Sequence, residues 1–276
     1  MEMGENLTKS AQAAKRASTK EWKKLVAEYQ QPHVGRAVWQ IVNTLVPIAA
    51  IWVSVYFLKD ISLWLTIPPA LLGGLFLVRA FIIFHDCGHG SFFKSKRANT
   101  AVGFITGMLT FTPYRQWSWE HARHHATNGD LDRRGIGDIW TLTVEEYVTS
   151  SRKLQLSYRF IRNPIILFVF GPLVLFIILQ RFPNAKAKTR EKRSVYIMNA
   201  TLVGWCVGMS MIYGFLPWLV IQLTMMSIAS LFGLWLFYVQ HQFEDTYWAG
   251  SDEWDYTTAA MEAVSYTHLR AHETLL

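Results

Sequence analysis

Six histidines in this chain fall into patterns that can bind a transition metal. His85 and His89 lie in HDCGH, and His121, His124 and His125 lie in HARHH. On a helix, residues three and four apart share one face, with neighbouring Cβ atoms about 5–6 Å apart. Converging imidazoles suit Fe, Zn, Cu or Ni, whereas Mg and Ca prefer oxygen ligands. His241, in VQHQFED, is a weaker candidate whose position reinforces the two clusters. His33 stands apart near the N-terminus and reads as an ordinary surface residue.

The elements that must position these histidines are apolar. The chain has 276 residues, 51% hydrophobic, 14% aromatic and only 17% charged. An average soluble domain carries about 25% charged residues. This balance excludes a disordered chain and a charged nucleic-acid-binding surface. Two distant cysteines, Cys87 and Cys206, exclude a disulfide scaffold. A helix needs about 20 apolar residues to cross a bilayer core about 30 Å thick. Four runs meet that length: 37–58, 61–84, 195–215 and 216–239. Pro68-Pro69 and Gly73-Gly74 are expected to interrupt the second. A fifth run, 164–180, is short and broken by Gly171-Pro172.

Charge sets the orientation. Residues 1–36 hold seven Lys/Arg against four Glu, and 181–193 hold six against one. Loops rich in Lys and Arg stay on the cytoplasmic side. Both basic segments satisfy this rule only if 164–180 enters and returns, or lies in the interface. The fold expected is therefore all-α and polytopic. It has four transmembrane helices, a cytosolic cap carrying the histidine boxes, and one re-entrant or interfacial segment. The first 36 residues form a basic arm suited to anionic lipid. That arm lacks the early apolar core of a cleavable signal peptide. Residues 85–163 and 240 onward fall on the cytoplasmic side, so all six patterned histidines share one membrane face.

The stretches HDCGHGSFF, HARHH, ATNGDLDRRGIGDIWTLTVEEY (126–147) and FYVQHQFEDTYW (237–248) resemble the membrane fatty acid desaturases, and above all the bacterial acyl-lipid desaturases. The likeness runs from about residue 35 to about 263. It implies a non-haem di-iron centre held by histidines, with two Fe ions falling to His85, His89, His121, His124, His125 and His241. It further implies dehydrogenation of a membrane phospholipid acyl chain to a cis alkene with O2 and two electrons. A ferredoxin-like or flavodoxin-like donor would supply those electrons, and the cell membrane would house the protein. Bottom-up chemistry agrees, because an unactivated methylene C–H needs a redox metal, with the protein supplying its position.

Metal-bound imidazoles need acceptors for their second nitrogen, and Asp86, Asp130, Asp138 and Glu244 are the candidates. Trp117 and Trp119 flank the second box as acyl-channel or interfacial residues, and Cys87 reads as a small packing residue. The family pattern requires a third box, HxxHH, beyond the VQHQFE stretch, and this sequence has none there. His268 and His272 have HxxxH spacing within SYTHLRAHET, which matches the in-frame translation of a transposase-type sequencing adapter. Residues 265–276 are therefore expected to be a non-native tail. The desaturase domain, 37–264, is expected to be incomplete and the chain as written inactive.

Two other functions compete. A histidine-box hydroxylase or ketolase of alkanes or carotenoids shares the clusters, but GDIWTLTVEEY (137–147) favours the desaturase. A membrane metal transporter would place its ligands near the midplane. Here they lie at the ends of the spans.

Overall fold

The computed structural model describes residues 31–263 except Ile136, together with Ala27. The remainder of the basic arm, and the tail with His268 and His272, lie outside the described residues. The described chain is mostly helical, with two longer non-helical stretches, 128–143 and 242–255, that meet in one isolated bridge, Asp130 with Ala249.

Helix α1 spans Val34–Leu58. His33 caps it, its Nδ1 accepting from the Arg36 N–H at 3.2 Å. This histidine therefore has a local structural role that its isolation in the sequence does not suggest. After a 3-10 turn, Leu63–Thr66, helix α2 covers Ile67–His89. The expected interruptions do not break it. Its prolines sit in the first turn, where the missing N–H is not needed. Its glycines are points of close approach. A Cβ on Gly74 would lie 2.5 Å from Ile228 Cβ and 2.8 Å from the Met225 carbonyl.

Helix α3 (Lys96–Leu109) folds back along α2, and α4 (Tyr114–Thr127) returns toward the end of α2. Hydropathy hides α3 because its buried face is small and polar: Asn99, Gly103, Thr106 and Gly107. The hydroxyls of Thr106 and Thr110 donate to carbonyls one turn back, at 2.8 and 3.0 Å. The α3–α4 hairpin turns at Phe111, whose φ is +57°. Gly107 passes so close to the turn that a Cβ there would lie 2.5 Å from the Thr112 carbonyl. The hairpin is locked to α2 by Tyr114, whose hydroxyl donates to the Cys87 carbonyl at 2.6 Å.

Two short helices follow, α5 (Val144–Thr149) and α6 (Arg152–Ile161). A bend of 64° separates α6 from the helical segment Ile166–Arg181, much of it π-helical. Its flanks are held at the histidine end of the bundle. Arg162 Nη2 donates to Gln242 Oε1 at 3.0 Å, beside His241. Asn184 Nδ2 donates to Glu120 Oε1 at 2.9 Å, beside His121. Both flanks of the segment are thus hydrogen-bonded beside histidine-bearing helices.

Helices α7 (Thr189–Tyr213) and α8 (Phe215–His241) complete the bundle, turning at Gly214 with φ +81°. Four helical stretches, Val34–Leu58, Leu63–His89, Thr189–Tyr213 and Phe215–His241, are long and apolar enough to cross a membrane. Their shared core includes Ile51, Trp52, Leu77, Ile221 and Met225. A last short helix, α9 (Tyr256–Glu262), closes the described chain.

Candidate metal centre

Helix α2 ends on HDCGH, so His85 and His89 project from one face of its last turns. Gly90, at φ +72°, stops the helix directly after them. Helix α4 brings the second box alongside. The Nε2 atoms of His85, His89 and His121 form a triangle with sides of 3.2, 3.0 and 2.9 Å. His125 Nε2 lies 3.0 Å from His121 Nε2. Ligand nitrogens of all four lie within 4.8 Å of one another.

The four donors fit a metal ion. Neighbouring nitrogens at about 2.1 Å from a common ion stand about 3.0 Å apart in an octahedron and about 3.4 Å apart in a tetrahedron. Three imidazole nitrogens facing one another at 2.9–3.2 Å cannot all be satisfied by N–H···N bonds. A cation between them removes the conflict. Burial, followed by the neighbouring imidazoles, pushes the His121 pKa far below the usual histidine range and His125 down to about 2. Both rings stay neutral and keep the lone pair that a metal requires.

His124 leaves this group. It is buried, and its Nε2 faces His241 Nε2 at 3.5 Å. Its Nδ1 meets Asp138 Oδ1 at 2.5 Å. His85 Nδ1 likewise meets Asp86 Oδ1, at 3.1 Å. A carboxylate on Nδ1 holds the proton there and leaves Nε2 free to ligate. The structure therefore arranges the six patterned histidines as a cage of four and a pair.

Asp130 and Glu244 are placed differently. The Asp130 carboxylate accepts from the backbone N–H groups of Asp132 and Arg133, from Ser251 Oγ at 2.8 Å, and from Arg133 Nε. Burial opposes its charge, but these donors hold the carboxyl below its ordinary range. Asp130 thus ties the loop after α4 to the loop before α9, reinforced by Leu131 N–H on the Ala249 carbonyl at 2.9 Å. Glu244 is exposed on the loop after α8.

Trp117 stacks on His121, centroids 4.3 Å apart and planes at 18°. Trp119 instead lies against the Arg123 guanidinium. Cys87 is buried among Ile83, Phe84 and Tyr114, in the packing role expected of it. Sequence reasoning missed Gln116, Glu120 and Asn184. Gln116 Oε1 accepts from the Asn184 N–H at 2.9 Å, and burial raises the Glu120 pKa. Together they fasten the end of the bent segment beside His121. An apolar cavity of about 370 Å³ between α1, α3 and α7, lined by Ile48, Trp52, Leu109 and Met209 among others, includes no histidine.

Four candidate spans with a cage of imidazoles at one end define a polytopic membrane protein with a histidine cluster able to hold a metal ion. Comparison with known proteins makes this specific. Residues 62–271 match the family model described as fatty acid desaturase. A fatty acid desaturase of Bacillus subtilis (strain 168) is 43% identical over 250 residues, covering 91% of this chain and 71% of that protein. The Delta(12)-fatty-acid desaturase of Arabidopsis thaliana is 26% identical over 69% of this chain. The sn-1 acyl-lipid omega-3 desaturase (ferredoxin) of Synechocystis sp. is 25% identical over 70% of it. The chain spans 53% and 55% of the lengths of the latter two. This chain belongs to the fatty acid desaturase family.

Proposed function

We propose that the complete protein is an acyl-lipid desaturase that introduces a cis double bond into a membrane phospholipid acyl chain. The reading is carried by one observation: α2 and α4 direct four Nε2 atoms to a single point at the end of the membrane bundle. His85, His89, His121 and His125 would hold one iron, and His124 with His241 would contribute to a second. Bound there, the irons supply the O2 chemistry that removes two methylene hydrogens, with two electrons from a ferredoxin-like or flavodoxin-like donor. The protein's part is positional. Asp86 and Asp138 keep the protons on Nδ1, and the low basicity of His121 and His125 keeps those rings unprotonated. Trp117 and Phe84 give the cage an apolar flank toward the bundle.

The basic segments 1–36 and 181–193 support a cytoplasmic placement of the histidine end, in the cell membrane. We also propose that residues 265–276 are not native, that a third histidine box follows residue 264 in the complete protein, and that this chain alone does not hold two irons. Gas chromatography of acyl chains from a host expressing the complete gene tests the activity. A new cis alkene is expected, and a hydroxylated product would overturn the reading. Iron quantitation on the purified 276-residue chain tests the rest, where two tightly bound irons per chain would refute the truncation.

A further inference from the structure

The apolar stretch of α2 contains one charge that the histidine centre does not use. Arg79 lies six residues before His85, on the exposed, outward-facing stripe of the helix with Leu72, Leu75 and Ile82. Its Nη2 donates to Asn43 Oδ1 on α1 at 2.6 Å, and its Nε approaches Thr44 Oγ1 at 3.4 Å. A guanidinium has five N–H donors, so three remain without a protein acceptor among the described residues. Such donors cannot face hydrocarbon unsatisfied.

Depth indicates what satisfies them. Arg79 is about 24 Å along the helix from Leu63 and about 15 Å short of His89. In a hydrocarbon core about 30 Å thick, that is close to the boundary on the histidine side. A long basic side chain there reaches the headgroup layer. On α1, Arg36 and Asn43 are seven residues apart, which puts them on one helix face, with exposed Trp39 between them. Arg36 adds a second positive charge toward the headgroups, and Trp39 is the residue type that sits at that level.

We propose that Arg79, Asn43 and Arg36 form a binding site for the phosphate of an anionic phospholipid in the histidine-side leaflet. Asn43 fixes the guanidinium so that its unused edge presents paired donors to phosphate oxygens, the fork geometry that arginine supplies and lysine does not. The inference rests on the membrane bundle and not on the chemistry of the histidines.

Native mass spectrometry of the purified full chain, delipidated and titrated with phosphatidylglycerol or with dioleoylglycerol, tests it. The wild type should retain phosphatidylglycerol and release dioleoylglycerol, which has the same tails and no phosphate. Arg79→Leu should weaken phosphatidylglycerol binding by about tenfold, the size expected for lost charge-assisted hydrogen bonds. Leucine suits a lipid-facing position, so the bundle should persist. Asn43→Leu keeps the charge but frees the guanidinium, and should weaken binding several-fold. Equal retention of both lipids by the wild type would overturn the proposal. So would unchanged phosphatidylglycerol binding in Arg79→Leu or, if that variant fails to fold, in Asn43→Leu.

Discussion

Replacing His121 with alanine tests the cage at its centre. Three of its four short Nε2 contacts involve this residue, at 2.9, 3.0 and 3.0 Å. Loss of a partner outside the ligand shell lowers metal affinity by about 10–100-fold, so loss of this ligand should reach at least the upper figure. A ligand present at 100 times its Kd stabilises the folded state by about 2.7 kcal/mol, but at a concentration equal to Kd by only about 0.4 kcal/mol. For a chain of this size those values correspond to midpoint shifts of about 5–10 °C and about 1 °C. The assay is thermal unfolding in detergent with and without Fe(II) or Co(II), each variant compared with its own metal-free sample. That comparison removes the packing lost where His121 stacks on Trp117. His33→Ala is the control, because it alters only an exposed helix cap. A metal-dependent shift of wild-type size in His121→Ala would refute the cage.

Other variants probe the supports. Asp138→Asn keeps the shape but loses the charge on His124 Nδ1, and should weaken metal binding in the complete protein about 10–100-fold, measured by chelator competition. Gly74→Ala should lower stability by about 1–3 kcal/mol, because its Cβ would meet Ile228 and the Met225 backbone. Gly204→Ala, with nothing within 4 Å of its Cβ, is the neutral comparison, and equal thermal midpoints for the two would contradict close α2–α8 packing. Glu146 pairs with Arg134 at 2.6 Å, and the Arg134 bonds followed by the Thr143 N–H lower its pKa to about 2. Its contribution is complete above the unfolded carboxyl pKa, about 4.5, and is lost as pH falls toward 2. The midpoint difference between wild type and Glu146→Gln should therefore be flat from pH 8 to 5 and shrink below. A difference that persists unchanged at pH 2 would contradict this.

What could be read from the sequence follows local periodicity. The four spans show because lipid-facing and buried positions in them are both apolar. The HxxxH spacing of the first box is visible because helix geometry converts it directly into a shared face. The division of the second box is not visible in spacing alone. His121 and His125 are four residues apart and share a face, whereas His124 is rotated about 100° from His125. Which neighbour each ring meets depends on the packing of α4 against α2 and α8. Helix α3 escaped for a different reason: its buried side is Asn, Gly and Thr, which hydropathy scores as surface. The carboxylates mark the same boundary. Asp130 and Asp138 occupy one loop, eight residues apart, yet Asp138 reaches His124 and Asp130 reaches Ser251. No local rule separates them.

The two groups of histidines depend on supports of different kinds. The cage lies at the end of the bundle, where the Tyr114 hydroxyl on the Cys87 carbonyl fixes α4 to the last turns of α2. Gly103 leaves the room this needs, since a Cβ there would lie 2.2 Å from the Tyr114 ring. The pair of His124 and His241 brings together the ends of α4 and α8, whose following loops are joined outside the bundle. Leu131 and Ala249 hydrogen-bond across those loops, Trp254 Nε1 donates to the Asn128 carbonyl at 2.9 Å, and Ser251 donates to Asp130. Asp130 thus ties these two loops together, its partners among the described residues being Asp132, Arg133 and Ser251. Both groups share α4, so the packing of that helix positions the cage and one half of the pair together, and the joined loops add a further restraint on the pair alone.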